Sequence, residues 1–506
     1  MMPWWGLAIL VLGANFALWG TIGALRLAGA MLARLRGAVA GRVPRRGSRS
    51  ESKNVVADHA TGTSLRRPLT VADVAVLIPA HNEATVIGDS LLAIMALVPR
   101  ENVHVVSDGS TDATVEIALS TGARVIKTRS NVGKAGALQE AIRRFKLIDR
   151  FAVVMLLDAD TRVRPGYFAA ALPMFDDPKV AAVAGCVKTA RDRNLSATGN
   201  VLVAHRQRIY AIGQRVLKFG QTWRYTNATH IVPGFASIYR AEVLPQIEMN
   251  PPGLVIEDFN MTFEVYHKRL GKVGFNLGAV AVTQDPDTLG DYVRQTKRWA
   301  LGLWQTVRRH PPRANLFTAM LTLLLLELVT ASMLFLLLPL LLVILAIPDL
   351  EPAALSWPGF ATVHAVVAAH VNFHSVLLGV VVPDAAMTCV AAALERRPRL
   401  LLCGPFFPIL RVIDAFIAVT AVPLAWLVKS SGRWKSPARR AVVDEMPAST
   451  QIALTADDTR AGPRAGALTA DGTPVGTRAG PADGTPVGVF TADGTRVSGG
   501  RDVQAS

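Results

Sequence analysis

The sequence predicts an α/β domain with a mainly parallel sheet, flanked on both sides by membrane-spanning helices. Two observations lead to this fold class. Between residues 71 and 285, short apolar runs alternate with helical patterns, which is the order expected of βαβ units. The whole chain of 506 residues is 51% hydrophobic and only 18% charged, a composition typical of proteins with membrane segments.

Residues 1–35 are predicted to form an N-terminal transmembrane anchor. Residues 4–25 carry no charge, and about 22 residues of helix cover roughly 33 Å, enough to cross a bilayer. A cleaved signal peptide is the alternative, but such a peptide begins with a basic region and has a shorter apolar core. Arginines follow between Arg26 and Arg49, and the positive-inside rule places them in the cytoplasm.

The net charge is strongly positive, at +16 from 54 basic and 38 acidic residues. Because many arginines lie beside the first apolar segment, this charge indicates membrane orientation, and we expect no nucleic-acid binding. Residues 36–70 are rich in Arg, Ser and Gly and are predicted to be a basic linker. The three cysteines (Cys186, Cys389 and Cys403) are too widely spaced to indicate a zinc site or a disulfide framework.

Residues 71–310 are predicted to form the α/β domain, which ends in a helix at the membrane interface. Its first four apolar runs are short enough for strands, and the helical patterns between them imply parallel pairing. These runs are VAVLIP (74–79), VHVVSD (103–108), ARVIK (123–127) and FAVVMLLD (151–158).

Residues 311–430 are predicted to contain about three transmembrane helices. Residues 316–347 are the most apolar and include a single charge, Glu327. Polar and charged side chains interrupt residues 359–394 and 400–428, so an interfacial or re-entrant segment is an alternative there.

The remaining C-terminal residues form two segments of different composition. Residues 431–450 are a basic juxtamembrane segment, and three preceding spans would place them outside the cell, against the positive-inside rule. The side of the C terminus is therefore left open. Residues 451–506 repeat DGTPVG at 471–476 and 483–488, and we predict a disordered low-complexity tail because such a composition cannot bury a core.

The buried run 151–158 ends at Asp158, and Asp160 follows two residues later. A polar turn is the simplest explanation, since Asp is common in turns. The alternative uses the spacing, because residues i and i+2 of an extended chain point the same way. Two converging carboxylates suit Mg²⁺ or Mn²⁺, which would hold a substrate diphosphate.

Further polar residues follow the other predicted strands. Asp108 ends the run 103–108, and Lys134 stands between two glycines at a helix start, a position favourable for an anion. The spacing is not that of a P-loop, because the upstream glycine and the following Ser or Thr are missing. Parallel strands would bring these residues to one sheet edge, where open α/β sheets bind ligands.

A last motif, QTKRW, lies near the end of the predicted domain. Gln295, Arg298 and Trp299 stand at i, i+3 and i+4, so a helix places all three on one face. An amphipathic helix with Trp and Arg at the membrane surface is the alternative explanation.

In this order, Asp108, Asp158-Ala-Asp160, Glu257-Asp258 and Gln295-Thr-Lys-Arg298-Trp299 resemble the motifs of membrane-bound family 2 glycosyltransferases of the processive type. That group includes chitin-oligosaccharide, poly-N-acetylglucosamine, hyaluronan and cellulose synthases. The resemblance covers roughly residues 71–310. It implies a GT-A nucleotide-diphospho-sugar transferase fold and a nucleotide-sugar donor, usually a UDP-sugar.

The resemblance also implies roles for single residues. On the donor side, Lys134 would contact uracil or phosphate, and Asp158 and Asp160 would hold the donor with its Mg²⁺ or Mn²⁺. The remaining residues implied to contact the nucleotide are Pro79, Ala80, Glu83 and Asp108.

On the acceptor side, the resemblance makes Asp258 the general base that takes the proton of the acceptor hydroxyl. Gly234 and Phe235, in VPGFASIYR (232–240), and Glu257 would also lie on this side. Ile256 departs from cellulose synthases, which have threonine there, and this disfavours cellulose as product. Gln295, Arg298 and Trp299 would line the acceptor site and hold the departing diphosphate.

These residue types fit the chemistry of sugar transfer, since a divalent cation and Arg298 can neutralise the leaving diphosphate. We expect an inverting, multi-pass enzyme of the cell membrane with a cytoplasmic catalytic domain. It would extend a β-linked polysaccharide, with UDP-N-acetylglucosamine as the favoured donor. A single transfer to a lipid, as by ceramide glucosyltransferases, is the alternative. The alternative from another class of protein is a membrane transporter or scaffold with a nucleotide-sensing domain.

Overall fold

The computed structural model describes residues 3–40, 67–190 and 195–428, with the side chains of residues 33–40 left out. The predictions for the tail and for the basic segment 431–450 lie outside these residues. Most of the predicted linker does so as well, although the second helix runs on to Ala40.

An eight-stranded mixed sheet forms the centre of the domain, with the strand order β3-β2-β1-β4-β7-β6-β8-β5. Four pairings are parallel (β1 with β2 and β4, β2 with β3, and β6 with β8), and three are antiparallel. The predicted α/β domain with a mainly parallel sheet is thereby confirmed. The strands are β1 Val74–Ala80, β2 Val103–Ser107, β3 Arg124–Lys127, β4 Val153–Leu157, β5 Arg162–Val163, β6 Val180–Thr189, β7 Ala236–Arg240 and β8 Lys272–Thr283.

The two central strands β1 and β4 are buried on both faces, as their unbroken apolar runs predict. Separate apolar cores cover the two faces of the sheet. Because β1, β2 and β4 run parallel, their carboxyl ends lie at the same edge. Asp108 directly follows β2 and Asp158 directly follows β4, so both residues lie at this edge.

Helices cover both faces of the sheet and continue into the apolar C-terminal region. Helices α8 and α9 are joined by a π-helical segment, Gly213–Lys218, and α14 and α15 by another, Leu377–Val381. The helices are α1 Trp4–Leu12, α2 Ala14–Ala40, α3 Ile87–Met95, α4 Thr114–Ser120, α5 Lys134–Arg144, α6 Leu147–Arg150, α7 Tyr167–Ala171, α8 Ala197–Ile212, α9 Phe219–Gln221, α10 Glu257–His267, α11 Leu289–Arg309, α12 Leu316–Leu350, α13 Pro358–His370, α14 Phe373–Val376, α15 Val382–Glu395, α16 Leu400–Cys403 and α17 Phe407–Leu427.

Among the described residues, three helical stretches are long and apolar enough to cross a membrane: Leu316–Leu350, Phe373–Glu395 and Leu400–Leu427. The second stretch differs from its predicted bounds of 359–394. Helix α13 is separate from it, because the Asn372 side chain accepts a hydrogen bond from the backbone of Ser375 (2.7 Å) and begins a new helix.

The N-terminal anchor is bent, where the sequence predicted one continuous helix. Helices α1 and α2 meet at 67° around Gly13, whose φ is +83°. The carboxylate of Glu327 accepts hydrogen bonds from the backbone (2.9 Å) and side chain (2.8 Å) of Asn15. Glu327 of helix α12 therefore satisfies donors that the first turn of α2 leaves unpaired.

Candidate active site

A cavity of about 620 Å³ lies at the carboxyl edge of the sheet. It brings together residues that are far apart in the sequence and that the motifs singled out. The predicted site residues that line it are Lys134, Asp158, Asp160, Gly234, Phe235, Glu257, Asp258, Gln295, Arg298 and Trp299.

Asp158 and Asp160 enter this cavity from a tight turn after β4. The turn is closed by a hydrogen bond from the Thr161 amide to the Asp158 carbonyl (3.0 Å). The Asp160 carboxylate is nearly buried and accepts hydrogen bonds from the hydroxyls of Thr161 (3.1 Å) and Thr283 (3.4 Å). Burial raises the pKa of Asp158, and the nearby negative charge of Asp160 raises it further. The two carboxylates therefore form a site that favours a cation.

Lys134, the first residue of α5, supplies one such cation. Its ammonium lies 2.8 Å from Asp158 and 2.9 Å from Glu257. Burial alone would lower the pKa of Lys134, but the two carboxylates outweigh burial and raise it. Burial would likewise raise the pKa of Glu257, and Lys134 reverses that shift. A Cβ atom at Gly234 would lie 3.0 Å from the ammonium, so a larger residue there would push Lys134 from its present position.

Asp258 lies beside this group, in the first turn of α10. Its carboxylate accepts hydrogen bonds from the amides of Gly234 (3.3 Å) and Phe259 (2.8 Å). Burial, followed by the charge of Glu257, raises the pKa of Asp258 to about 6. The carboxylate is therefore mostly ionised at pH 7, with a proton affinity that suits a general base.

Four residues predicted to contact the nucleotide do not line the cavity: Pro79, Ala80, Glu83 and Asp108. Asp108 is fully buried and accepts hydrogen bonds from the amides of Val132 (2.8 Å) and Gly133 (2.9 Å). In this structure, it fixes the loop that carries Lys134. Direct contact of these four residues with a nucleotide stays a prediction.

Gln295, Arg298 and Trp299 lie on α11, and all three line the cavity, as their spacing predicts. Further along the same helix, Leu303 and Trp304 are buried among residues of other helices. At Leu303 and Trp304, α11 therefore packs against other described residues of the protein.

Residues 72–302, which hold every strand of the sheet and the whole cavity motif set, match the model described as glycosyltransferase-like family 2. This match assigns residues 72–302 to a glycosyltransferase-like family 2 domain. The resemblance seen in the motifs is thereby confirmed at the level of the family, and the processive subtype stays a prediction.

Two curated relatives are also named as glycosyltransferases. The chain is 28% identical over 240 residues to the probable glycosyltransferase YdaM of Bacillus subtilis (strain 168), covering 45% of this chain and 54% of the relative. It is 27% identical over 248 residues to the uncharacterized glycosyltransferase YaiP of Escherichia coli (strain K12), covering 46% and 57%. The chain thus spans about half the length of the curated relatives it matches.

Solved structures show a more distant likeness. The mannosyltransferase PcManGT from Pyrobaculum calidifontis, in complex with GDP-Man and Mn²⁺, is 18% identical, with a TM-score of 0.45 over 81% of this chain and 99% of that chain. The glucosyl-3-phosphoglycerate synthase from Mycobacterium tuberculosis, in complex with Mg²⁺ and uridine diphosphate, is 18% identical, with a TM-score of 0.32 over 48% and 84%.

The carboxylates of the cavity offer a place for a divalent metal. The described residues contain no group of three or more His, Cys, Asp or Glu side chains arranged to hold a metal. Asp158 and Asp160 supply two carboxylates, and Mg²⁺ is commonly held by one or two carboxylates together with substrate phosphates and water. These two carboxylates therefore fit a metal that binds together with a diphosphate.

The motif analysis missed one residue of the glycosyltransferase domain that holds α11 in place. Arg206 is 2% exposed, and its guanidinium lies over the rings of Tyr292 (4.5 Å) and Trp299 (4.4 Å). It also donates hydrogen bonds to the side chains of Gln295 (3.2 Å) and Thr296 (2.6 Å). No local signal marks it, because these contacts depend on how α8 packs against α11.

We expect Arg206→Lys to lower turnover by about tenfold while UDP affinity stays nearly unchanged. Lysine keeps the charge but cannot stack on both rings and donate in the same fork. Turnover and UDP binding should be measured on the same preparation. Arg215→Lys is the matched control, because Arg215 pairs with Glu395 (3.2 Å) and does not line the cavity. Equal loss in both variants would contradict a role of Arg206 in positioning α11.

Proposed function

We propose that the chain is an inverting, metal-dependent membrane glycosyltransferase that transfers a sugar from a UDP-sugar to a growing β-linked polysaccharide. One observation carries the proposal: a single cavity contains the Asp158–Asp160 pair, the half-buried carboxylate of Asp258 and the three residues of the QTKRW motif. This set of groups can activate both partners of a sugar transfer.

The donor half of the reaction uses the cationic groups of the cavity. Asp158 and Asp160 would hold Mg²⁺ or Mn²⁺, which would supply positive charge to the donor diphosphate. Arg298 lines the same cavity and would stabilise the negative charge that develops as UDP leaves. Lys134 would remain beside Asp158 and add a further positive charge.

The acceptor half uses Asp258. An acceptor hydroxyl attacks the anomeric carbon from the face opposite to UDP, so the new glycosidic bond forms as the bond to UDP breaks. Asp258 takes the hydroxyl proton, and the configuration at the anomeric carbon inverts. Backbone donors from Gly234 and Phe259 fix the carboxylate while it does so.

The pH dependence of turnover should report this base. Because the pKa of Asp258 is raised to about 6, the ionised fraction falls as the pH drops through that value. We expect kcat to decline below a pH of about 6 and to be flat above it in the neutral range. A rate profile between pH 5 and 8 would check this, and a constant kcat down to pH 5 would contradict it.

The cavity also supports a location at the membrane. Leu324, which lines it, belongs to the apolar stretch Leu316–Leu350. We propose that these helices span the cell membrane and that the glycosyltransferase domain faces the cytoplasm, where nucleotide sugars are made.

A reporter fused near residue 60 tests this orientation, because the arginines between Arg26 and Arg49 should keep that point in the cytoplasm. We expect activity from a reporter that works only in the cytoplasm and none from one that works only outside. The reverse pattern would remove access to the donor and contradict the proposed function.

One observation favours the second candidate, transfer of a single sugar to a lipid. A cavity of about 340 Å³ shares Ile209, Gly213 and Leu217 with the site cavity and continues along Leu328 and Phe335 of α12. These apolar walls would accommodate a lipid chain as well as a nascent polymer.

A panel of radiolabelled UDP-sugars, incubated with membranes that contain the protein, tests the proposed function. UDP-N-acetylglucosamine is the donor favoured by the family resemblance. Incorporation into material of many sugar units would support polymer extension, and a product larger by one sugar would support the lipid alternative. No incorporation from any donor would contradict both.

A further inference from the structure

Arg26 joins helix α2 to the glycosyltransferase domain at several points. Its guanidinium donates hydrogen bonds to the backbone carbonyls of Phe219 (2.6 Å) and Phe275 (3.2 Å) and to the hydroxyl of Thr222 (3.3 Å). The same group lies 4.0 Å from the centre of the Phe219 ring. Because Phe219 belongs to α9 and Phe275 to β8, a single side chain of α2 ties these two elements together.

Close backbone packing brings α2 and α9 together beside this contact. Gly220 of α9 lies against the backbone of Trp19, and a Cβ atom at position 220 would overlap the carbonyl oxygen of Trp19. Trp19 is itself fully buried, and Gly23, one turn later in α2, also faces the backbone of Gly220. Since no side chain fits at Gly220, the contact places α2 directly on the backbone of α9.

The simpler explanation for Arg26 is that it only marks the cytoplasmic end of an apolar segment. Such an arginine extends its charged end into water or among lipid headgroups. The guanidinium of Arg26 instead contacts two backbone carbonyls, a hydroxyl and an aromatic ring of the folded domain. These contacts indicate a second role, in which Arg26 holds part of the domain in place.

The part that Arg26 holds is a wall of the site cavity. We call residues 217–222 the wall segment, because three of them line the cavity: Leu217, Lys218 and Gln221. Phe219 and Thr222, the two residues of this segment that Arg26 contacts, do not line it. Arg26 therefore supports the wall segment from behind, without reaching the cavity itself.

The wall segment leads into the loop that holds the proposed base. The carbonyl of Gln221 accepts a hydrogen bond from the amide of Ala228 (2.8 Å). The side chain of Asn227 ties the same loop to β8. The loop continues to Gly234, whose amide donates to the carboxylate of Asp258 (3.3 Å). Both attachments of the loop thus lie on elements that Arg26 contacts.

We propose that Arg26 is a positioning residue for sugar transfer, which holds the wall segment and the loop behind it in place beside Asp258. This inference rests on the proposed function. Helix α2 precedes residues 72–302, the part of the chain that matches the family model. The inference therefore adds to the site an element outside the family domain, and α2 becomes more than a membrane anchor.

The donor groups are held by other elements of the fold. Asp158 and Asp160 follow β4, and Lys134 begins α5. Arg26 contacts none of these elements in the described part of the chain. A loss of Arg26 should therefore impair the use of the acceptor and leave UDP binding nearly unchanged.

Arg26→Lys tests this expectation in the full-length protein. Lysine keeps the positive charge, and with it the membrane orientation, but it lacks the planar fork that stacks on Phe219 while it donates to several oxygens. We expect sugar incorporation per UDP-binding site to fall by at least about tenfold, because small misplacements far from the reacting atoms can be that costly. Incorporation is measured with the panel of radiolabelled UDP-sugars, and UDP-binding sites and affinity are measured by calorimetry.

The ratio of sugar incorporated to UDP released separates positioning from stability. When the acceptor is misplaced, water takes its position at the anomeric carbon, and the products are free sugar and UDP. We expect this ratio to fall in Arg26→Lys. A variant that is only less stable would lose incorporation, UDP release and UDP-binding sites together, and its ratio would stay that of the wild type.

Gly220→Ala disturbs the same contact from the side of α9 and should lower the ratio as well. The double variant should be no worse than the more impaired single variant, because both substitutions break one contact. Gly29→Ala is the control within α2, since a Cβ atom there meets open space. Arg224→Lys is the control for the arginine, because Arg224 is exposed and does not line the cavity. Both controls should behave as wild type.

A wild-type ratio with wild-type incorporation in Arg26→Lys would overturn the inference, and so would an equal loss in Arg224→Lys. If Arg26→Lys does not fold, Gly220→Ala decides by the same ratio. Loss of all UDP-binding sites in both variants would show that the contact serves folding, and would also overturn the inference. UDP release by the wild type with an unchanged ratio in both variants would refute this inference alone. No UDP release by the wild type from any donor would refute the proposed function, and this inference with it.

Discussion

Asp258→Asn is expected to lower sugar transfer by at least about 10²-fold, the lower range for loss of general-base catalysis, while metal-dependent UDP binding stays within a few-fold. Asparagine keeps the shape of the side chain, and its single oxygen can still accept one of the two hydrogen bonds that Gly234 and Phe259 donate to the carboxylate. It cannot take the proton of an acceptor hydroxyl. Turnover by UDP release and UDP affinity by calorimetry, on one purified variant, would separate the two effects.

The competing explanation makes Asp258 a helix cap. In the structure, the N-cap position of α10 belongs to Ile256, and Asp258 lies inside the first turn. A capping role would also survive the substitution, because Asn caps helices about as well as Asp. Glu264→Gln is a suitable control, since Glu264 is a buried carboxylate of the same helix that does not line the cavity. Near-normal turnover in Asp258→Asn would refute the base assignment, and lost UDP binding would move Asp258 to the donor side.

Asp160→Asn is expected to abolish turnover, and chelation of Mg²⁺ and Mn²⁺ should do the same to the wild type. The reason is that Asp158 and Asp160 are the carboxylates proposed to hold a metal against the donor diphosphate, and the charge of this metal would contribute several kcal/mol to the stability of the transition state. Unlike Asp258→Asn, this variant should also lose the metal-dependent part of UDP binding. Asp149→Asn, a substitution at an exposed position of the same domain, should behave as wild type. Full activity in excess chelator would contradict the metal assignment.

The sequence was sufficient to predict the central strands and the edge at which the site lies. The runs at 74–79 and 151–158 are apolar throughout because β1 and β4 are buried on both faces. Parallel pairing then brings the residues after each strand together, which is why Asp158 and Lys134 meet at 2.8 Å. Helical spacing likewise placed the QTKRW residues on one face.

Other features depend on contacts between distant segments and leave no local signal. Strands β6, β7 and β8, which take part in the antiparallel pairings of the sheet, lie between helices and show no distinct alternation. Arg206 looks like an ordinary basic residue of a helix, and only the packing of α8 against α11 reveals its surroundings. The bend at Gly13 requires Glu327, which is 314 positions further along the chain.

The most direct test of the central claim is UDP release by the purified full-length protein. It should be measured with UDP-N-acetylglucosamine and other UDP-sugars in the presence of membrane acceptor, with and without Mg²⁺ or Mn²⁺. The structure predicts release that requires the metal, persists in Arg215→Lys and is lost in Asp160→Asn and Asp258→Asn. Absence of release from every nucleotide sugar, or equal release in all of these variants, would contradict a glycosyltransferase site in this cavity.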